Sequence, residues 1–296
     1  MSPSNGKRVL ITGGSGFTGR YVIPRLQAEG YEVIDPETSG RFDLIDVGTL
    51  QAKVAEARPD YVIHLAALSF VAHGDPAAFY RVNAVGTTNL LDALVALPKR
   101  PHRVILASSA NVYGNATDDP ITERTPVAPV NHYAASKVAM EHLAVAYMDR
   151  LPICITRPFN YTGPGQRPDF LIPKLVGHFA ARKPFIELGN VDVVRDFSDV
   201  RAVTEAYLRL LTSEPAPRLT NICSGVGRSL REVLSELEQL SGHRLEIRIN
   251  PAFVRAQEVR RLVGSASTLM AAVGPLPYQD FRETLAWMLE GCEQTV

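Results

Sequence analysis

Three features of this 296-residue chain predict an open, doubly wound α/β fold with a smaller C-terminal lobe. Short apolar runs rich in Val and Ile alternate with helix-length segments through the first half. The first run leads directly into a glycine turn, Thr12-Gly13-Gly14-Ser15-Gly16-Phe17-Thr18-Gly19. After Arg157 the alternation stops, because Pro158, Gly163, Pro164, Gly165, Pro168, Pro173 and Pro184 cut the chain into short pieces.

Each element has a local reason. The runs at Arg8–Ile11, Glu32–Ile34, Tyr61–Leu65, Arg103–Ala107 and Ile153–Thr156 are short and bounded by turn residues. They read as buried parallel strands. Helical periodicity falls between them, at Phe17–Glu29, Leu50–Ala57, Ala77–Ala96 and His132–Arg150. Further on, strands are expected at Phe185–Leu188, Leu219–Cys223 and Leu245–Ile249, with helices at Val200–Leu211, Leu230–Leu240 and Phe281–Glu290. The resulting expectation is a Rossmann parallel sheet from residues 1–160 plus 186–223. Residues 161–185 plus 224–296 would form an interleaved substrate-binding lobe against the carboxyl ends of its strands.

Composition narrows the partners. Lys and Arg total 31, equal to Asp and Glu, so no global field draws the chain to nucleic acid or to an anionic membrane. An anionic ligand must then be held by a few local cations. Cys154, Cys223 and Cys292 are far apart and lack metal-ligand spacing, which suggests buried thiols in a reducing compartment and no metal. No run of about 18 apolar residues is present, and the first strand begins near Lys7. A cytoplasmic protein is expected.

The glycine turn is the first functional signal. Gly13 allows a tight turn, Gly16 lets backbone approach a pyrophosphate, and Gly19 permits close packing of helix on strand. Asp35 ends the second strand, where an acid accepts adenosine ribose hydroxyls and disfavours a 2′-phosphate. Arg41, after Glu37-Thr38-Ser39-Gly40, is a nearby cation able to pair with such a phosphate, so NADH and NADPH both stay open. Small residues in His64-Leu65-Ala66-Ala67 leave room for a cofactor, with His64 itself read as a packed core histidine.

The second signal is Tyr133-Ala134-Ala135-Ser136-Lys137. One helical turn separates Tyr133 from Lys137, so both share a face. The ammonium is expected to lower the tyrosine pKa from about 10 towards the working range. Such a tyrosine can exchange a proton with a carbonyl oxygen while a nicotinamide exchanges a hydride with its carbon.

Taken together, TGGSGFTG, HLAA, RVNAVGTTNLLDA, ASSANVYG, YAASK and RPFNYTGPGQ resemble the extended short-chain dehydrogenase/reductase family, which mostly acts on nucleotide sugars. That resemblance implies a Ser109, Tyr133 and Lys137 trio, with Ser109 bonding the substrate carbonyl oxygen. It implies NAD(P)H contacts at Gly13, Ser15, Gly16, Phe17, Thr18, Asp35, Asp43, Leu44, Leu65, Ala66, Ala67, Asn83, Tyr133, Lys137 and Pro158. Within the family, RPFNYTGPGQ, LGNVDVVRDFSDV, NICSGVG and NPAFVRAQEVRRLVGS look most like the GDP-6-deoxy-D-mannose reductases. Those enzymes reduce GDP-4-keto-6-deoxy-D-mannose to GDP-D-rhamnose. The likeness implies a nucleotide-diphosphate sugar, GDP-linked for preference, bound by Ser109, Ala110, Asn111, Asn160, Lys174, Arg195, Arg255 and Glu258. Arg255 would pair with the diphosphate and Glu258 with the ribose.

Ala110 and Asn111 stand where sugar 4,6-dehydratases carry acids, and neither can act as an acid or base near neutral pH. Dehydration is disfavoured, and simple carbonyl reduction is expected. A nucleotide-sugar 4-epimerase with tightly bound NAD is the alternative, since Ser108–Gly114 also resembles that enzyme. A redox sensor or scaffold that lost catalysis is a third reading, opposed by the intact trio. The family likeness also implies a homodimer through the helices at Ala77–Ala96 and His132–Arg150. Phe79, Val82, Val85, Leu90, Leu94 and Leu97 offer apolar surface there.

Overall fold

A computed structural model describes residues 6–38, 42–69, 75–253, 259–277 and 280–293. Six parallel strands form the main sheet: β1 (Arg8–Thr12), β2 (Glu32–Ile34), β3 (Tyr61–His64), β4 (Arg103–Ala107), β5 (Ile153–Pro158) and β9 (Leu219–Ile222). Their order is β2-β1-β3-β4-β5-β9. Strand order reverses at β1, so a crevice opens between the carboxyl ends of β1 and β3. Alternation along each strand feeds two cores. Leu10, Val62 and Val104 pack on one face with α2 (Val47–Ala57), α4 (Thr87–Val95) and α5 (His132–Val145). Val9, Ile11 and Ile63 pack on the other with α1 (Gly19–Ala28), α7 (Val200–Thr212) and α9 (Ser267–Val273).

The helix expected over Ala77–Ala96 is broken into three parts. A short α3 (Pro76–Phe79) leads into a π-helical turn at Tyr80–Gly86, which continues as α4. Gly86 closes against Leu44, whose Cβ would lie 2.8 Å from a Cβ at that position. The apolar set proposed for a dimer face is mostly spent inside the chain. Phe79, Leu90, Leu94 and Leu97 are buried, Val82 is half-buried, and Val85 is 50% exposed.

Smaller sheets carry the other lobe. β6 (Asn160–Thr162), β10 (Gly227–Ser229) and β12 (Arg261–Leu262) all pair with β8 (Val194–Asp199). β7 (Phe185–Leu188) pairs in parallel with β11 (Glu246–Ile249), so this strand lies away from the main sheet, whereas Leu219–Ile222 completes it. Around them, α6 (Leu171–Ala180), α8 (Leu230–Ser241) and α10 (Phe281–Glu293) bury Phe179, Leu237, Leu285 and Met288. No helix among the described residues is long and apolar enough to cross a membrane.

Candidate active site

A cavity of about 520 Å³ fills the crevice. The glycine turn forms one wall. Gly13 sits at φ +75°, and a Cβ there would strike the Ala66 backbone nitrogen at 2.6 Å, so only glycine fits between β1 and β3. A Cβ on Gly16 would meet only the Gly13 carbonyl, at 3.1 Å, which leaves the turn open to a diphosphate. Helix α1 has no side-chain cap at Thr18. Turn and helix start fit a dinucleotide.

The opposite wall is held by buried hydrogen bonds. Thr87 Oγ1 donates to the Asn83 carbonyl (2.7 Å) and therefore accepts from His64 Nε2 (2.8 Å). His64 Nδ1 in turn accepts from Thr12 Oγ1 at 2.6 Å. The ring is thereby fixed as a neutral tautomer, and burial pushes its pKa down to about 3, with Lys137 adding to the effect. Asn83 is buried as well. Its amide accepts from Leu68 N (2.9 Å) and donates to Ser136 Oγ (2.9 Å), while Ser136 Oγ donates to the Tyr133 carbonyl (2.7 Å). Asn83 thus clamps the segment after β3 to the helix that carries Tyr133.

Asn131 starts that helix by accepting from Ala134 N at 2.8 Å. Tyr133 and Lys137 both line the cavity, as do Ser109 and Asn111. Ser109 lies beside Tyr133 and favours its phenolate. The expected lowering of the tyrosine pKa is not what the structure gives: burial pushes the phenol up to about 12, with the neighbouring Ser109 opposing. Lys137 Nζ donates to the Ala107 carbonyl at 2.7 Å, and burial brings its pKa down to about 8. Desolvation outweighs mutual attraction here, because both groups have left water. At neutral pH the tyrosine is a protonated donor and the lysine mostly an ammonium.

Gly13, Ser15, Gly16, Phe17, Thr18, Leu65, Ala66, Ala67, Pro158 and Asn160 also line the cavity. Asp35, Asp43, Leu44, Ala110, Lys174 and Arg195 do not belong to its described lining. Asp35 packs beneath the turn, where its carboxylate would collide with a Cβ on Gly14. The Glu37 carboxylate lines the cavity instead. It accepts from Gly13 N (2.9 Å), Ser15 N (3.4 Å) and Ser15 Oγ (2.5 Å). Leu44 is core, and its carbonyl accepts from Asn89 at 2.9 Å. Ala110 is buried, Lys174 donates to the Glu187 carbonyl (3.0 Å), and Arg195 donates to the Val194 carbonyl (2.9 Å). Arg41, Arg255 and Glu258 lie outside the described residues.

Sequence reasoning missed the strap that roofs the cavity. Tyr161 stacks on Phe17 with ring centroids 6.0 Å apart and shares a 2.7 Å hydrogen bond with Thr18. Tyr21 Oη donates to the Pro164 carbonyl (2.7 Å) and Arg20 Nη2 to that of Gly165 (2.6 Å). Gln166, bonded to Thr162 and to the Tyr161 carbonyl, completes the lining. The Gly-Pro-Gly-Gln run after β6 was the available signal, since only a tight turn brings residue 166 back over residue 161.

Comparison with known proteins agrees with this geometry. Residues 9–223 match the NAD dependent epimerase/dehydratase family. The chain is 37% identical to a GDP-6-deoxy-D-talose 4-dehydrogenase from Aggregatibacter actinomycetemcomitans, over 94% of this chain and 93% of that one. It is 35% identical to a GDP-6-deoxy-D-mannose reductase from Pseudomonas aeruginosa, covering 98% of each. Among solved structures, RMD from Pseudomonas aeruginosa complexed with NADPH superposes with a TM-score of 0.89 at 34% identity, covering 98% of this chain and 99% of that one. The chain belongs to the NAD dependent epimerase/dehydratase family, and is a nucleotide-sugar-modifying, NAD(P)-dependent oxidoreductase.

Proposed function

From that membership we propose that the chain reduces the 4-keto group of a GDP-linked 6-deoxyhexose, converting GDP-4-keto-6-deoxy-D-mannose to GDP-D-rhamnose. The observation that carries the proposal is that Ser109, Tyr133 and Lys137 line one cavity with the glycine turn, with Ala110 and Asn111 after Ser109 where a dehydratase would need an acid. A bound NAD(P)H supplies the hydride. Gly13, Gly16 and the start of α1 would hold its diphosphate, Ala66 and Ala67 would flank it, and Lys137 would meet the ribose next to the nicotinamide.

The chain's own residues do the rest. Ser109 holds the sugar O4 oxygen, and Tyr133 passes its phenolic proton to that oxygen as negative charge develops there. A phenol with a pKa of about 12 holds its proton at neutral pH and releases it only to a stronger base. An oxygen becoming an alkoxide is such a base. The Lys137 ammonium then offsets the charge left on Tyr133. Asn160, which lines the cavity, is assigned to the nucleotide diphosphate, and the family resemblance assigns Arg195 and Arg255 to it as well.

The relative named as a talose 4-dehydrogenase favours a second reading. The same trio acting on the other face of C4 would give GDP-6-deoxy-D-talose. Purified protein with NADH or NADPH and GDP-4-keto-6-deoxy-D-mannose is expected to consume the dinucleotide, and NMR of the product's H4 coupling separates rhamnose from talose. Interconversion of C4 epimers without net dinucleotide consumption would replace the reductase by a 4-epimerase.

A further inference from the structure

Glu141 and Arg157 form a buried ion pair that the reaction above does not use. Glu141 follows Lys137 by one turn of α5, so Tyr133, Lys137 and Glu141 share one helix face. Arg157 comes from β5, beside the cavity-lining Pro158. Its fork is bidentate, with Nε to Oε1 at 2.9 Å and Nη2 to Oε2 at 2.5 Å. Both residues are under 10% exposed. The guanidinium lies 4.8 Å from the ring centre of Tyr113, which ends the turn begun at Ser109. Arg157 Nη1 is buried without a hydrogen-bond partner among the described residues. One pair therefore ties together the helix of Tyr133 and Lys137, the strand leading to Pro158, and the turn that carries Ser109.

Stability alone does not account for it, because a buried ion pair is commonly no better than apolar side chains of the same volume. Its surroundings do. Around Lys137 stand Glu141 one turn on along its own helix, Tyr133 one turn back, His64 from β3 and the Ala107 carbonyl from β4, while Arg157 from β5 and Tyr113 from the turn lie beyond Glu141. His64 is neutral, the tyrosines hold their protons, and Arg157 is turned onto Glu141. Glu141 is the carboxylate that acts on Lys137 among the described residues. We infer that Glu141, clamped by Arg157, is the positioning counter-ion of Lys137: it keeps the lysine charged and its helical turn in place beneath the reacting groups. The inference rests on the role proposed for Lys137.

The test is a pH titration of the full chain carrying lysine labelled with ¹³C at Cε, read by NMR, with the Lys137 signal assigned by its loss in Lys137→Arg. The wild-type midpoint is expected near 8. In Glu141→Gln it should fall by about one unit or more, a tenfold loss in the charged-to-neutral ratio. The alkaline limb of the reduction rate should move with it. Glu141→Asp, which keeps the charge, should hold the midpoint close to wild type. Glu141→Gln/Arg157→Met leaves no buried lone charge, and its midpoint should lie between those of wild type and Glu141→Gln. An unchanged midpoint in Glu141→Gln overturns the inference. If that variant does not fold, an unchanged midpoint in the double variant does so. The titration needs no sugar nucleotide, so a shifted midpoint in a chain that reduces no 4-keto sugar would sink the proposed reaction and leave this inference standing.

Discussion

The Glu37 carboxylate accepts the backbone N–H of Gly13 at 2.9 Å, which sets a negative charge at the mouth of the glycine turn. A 2′-phosphate on the adenosine ribose would bring a dianion up to that charge. NADH is expected to bind more tightly than NADPH. Glu37→Gln should narrow the gap by roughly tenfold, the worth of one partly screened charge contact. Fluorescence titration of both dinucleotides checks this, and equal wild-type affinities would count against it.

Tyr133 is expected to be the proton donor. Tyr133→Phe keeps the ring against Phe79, 6.2 Å away between centroids, and removes only the hydroxyl. Turnover should fall by roughly two to four orders of magnitude while dinucleotide affinity changes little. Near wild-type turnover removes Tyr133 from the mechanism.

His64 should make the fold acid-sensitive. Its folded pKa of about 3 lies below the ordinary 6.5, so between those values the unfolded chain takes up a proton that the fold refuses. Stability then drops as pH falls below about 6.5, by at most about 1.4 kcal/mol per unit from this group. His64→Gln lowers stability at pH 7 by disturbing the Thr12 and Thr87 bonds, but should flatten the slope between pH 7 and 5. Urea midpoints at several pH values measure it, and an unaltered slope would assign the acid sensitivity elsewhere.

A homodimer is expected through the π-helical turn and α5. Val85, Leu143 and Val145 remain 45–59% exposed on these two packed elements. Light scattering at micromolar concentration should give twice the chain mass, and Val85→Arg with Leu143→Arg should give monomer. A wild-type monomer disposes of the dimer.

The sheet was legible because its strands are continuous Val and Ile runs, and the turn because Gly13 can be nothing else. Spacing alone put Tyr133 and Lys137 on one helix face, while Ser109 came from the family resemblance. The protonation of the pair was not legible, since Tyr133 and Lys137 owe their pKa values mainly to burial, which sequence spacing does not report. Asp35 is the acid expected from the sequence because it ends the strand, and nothing in the local pattern singles out Glu37. Two residues of turn carry the second acid back over Gly13. Phe185–Leu188 has the composition of a main-sheet strand, but its partner β11 lies some sixty residues on, a choice made by tertiary packing and not by local pattern.

The last strand of the main sheet has a consequence for how the chain is made. Ile155 pairs with Leu219, and between them the chain must build β6 to β8 together with α6 and α7. While those residues leave the ribosome, β5 stands as an open edge whose six residues are all buried in the finished protein. An unpaired apolar edge invites pairing with another nascent chain. Biosynthesis is therefore most exposed to misassembly in the interval between translation of Pro158 and of Ile222, and slowing elongation there would lengthen the hazard rather than relieve it.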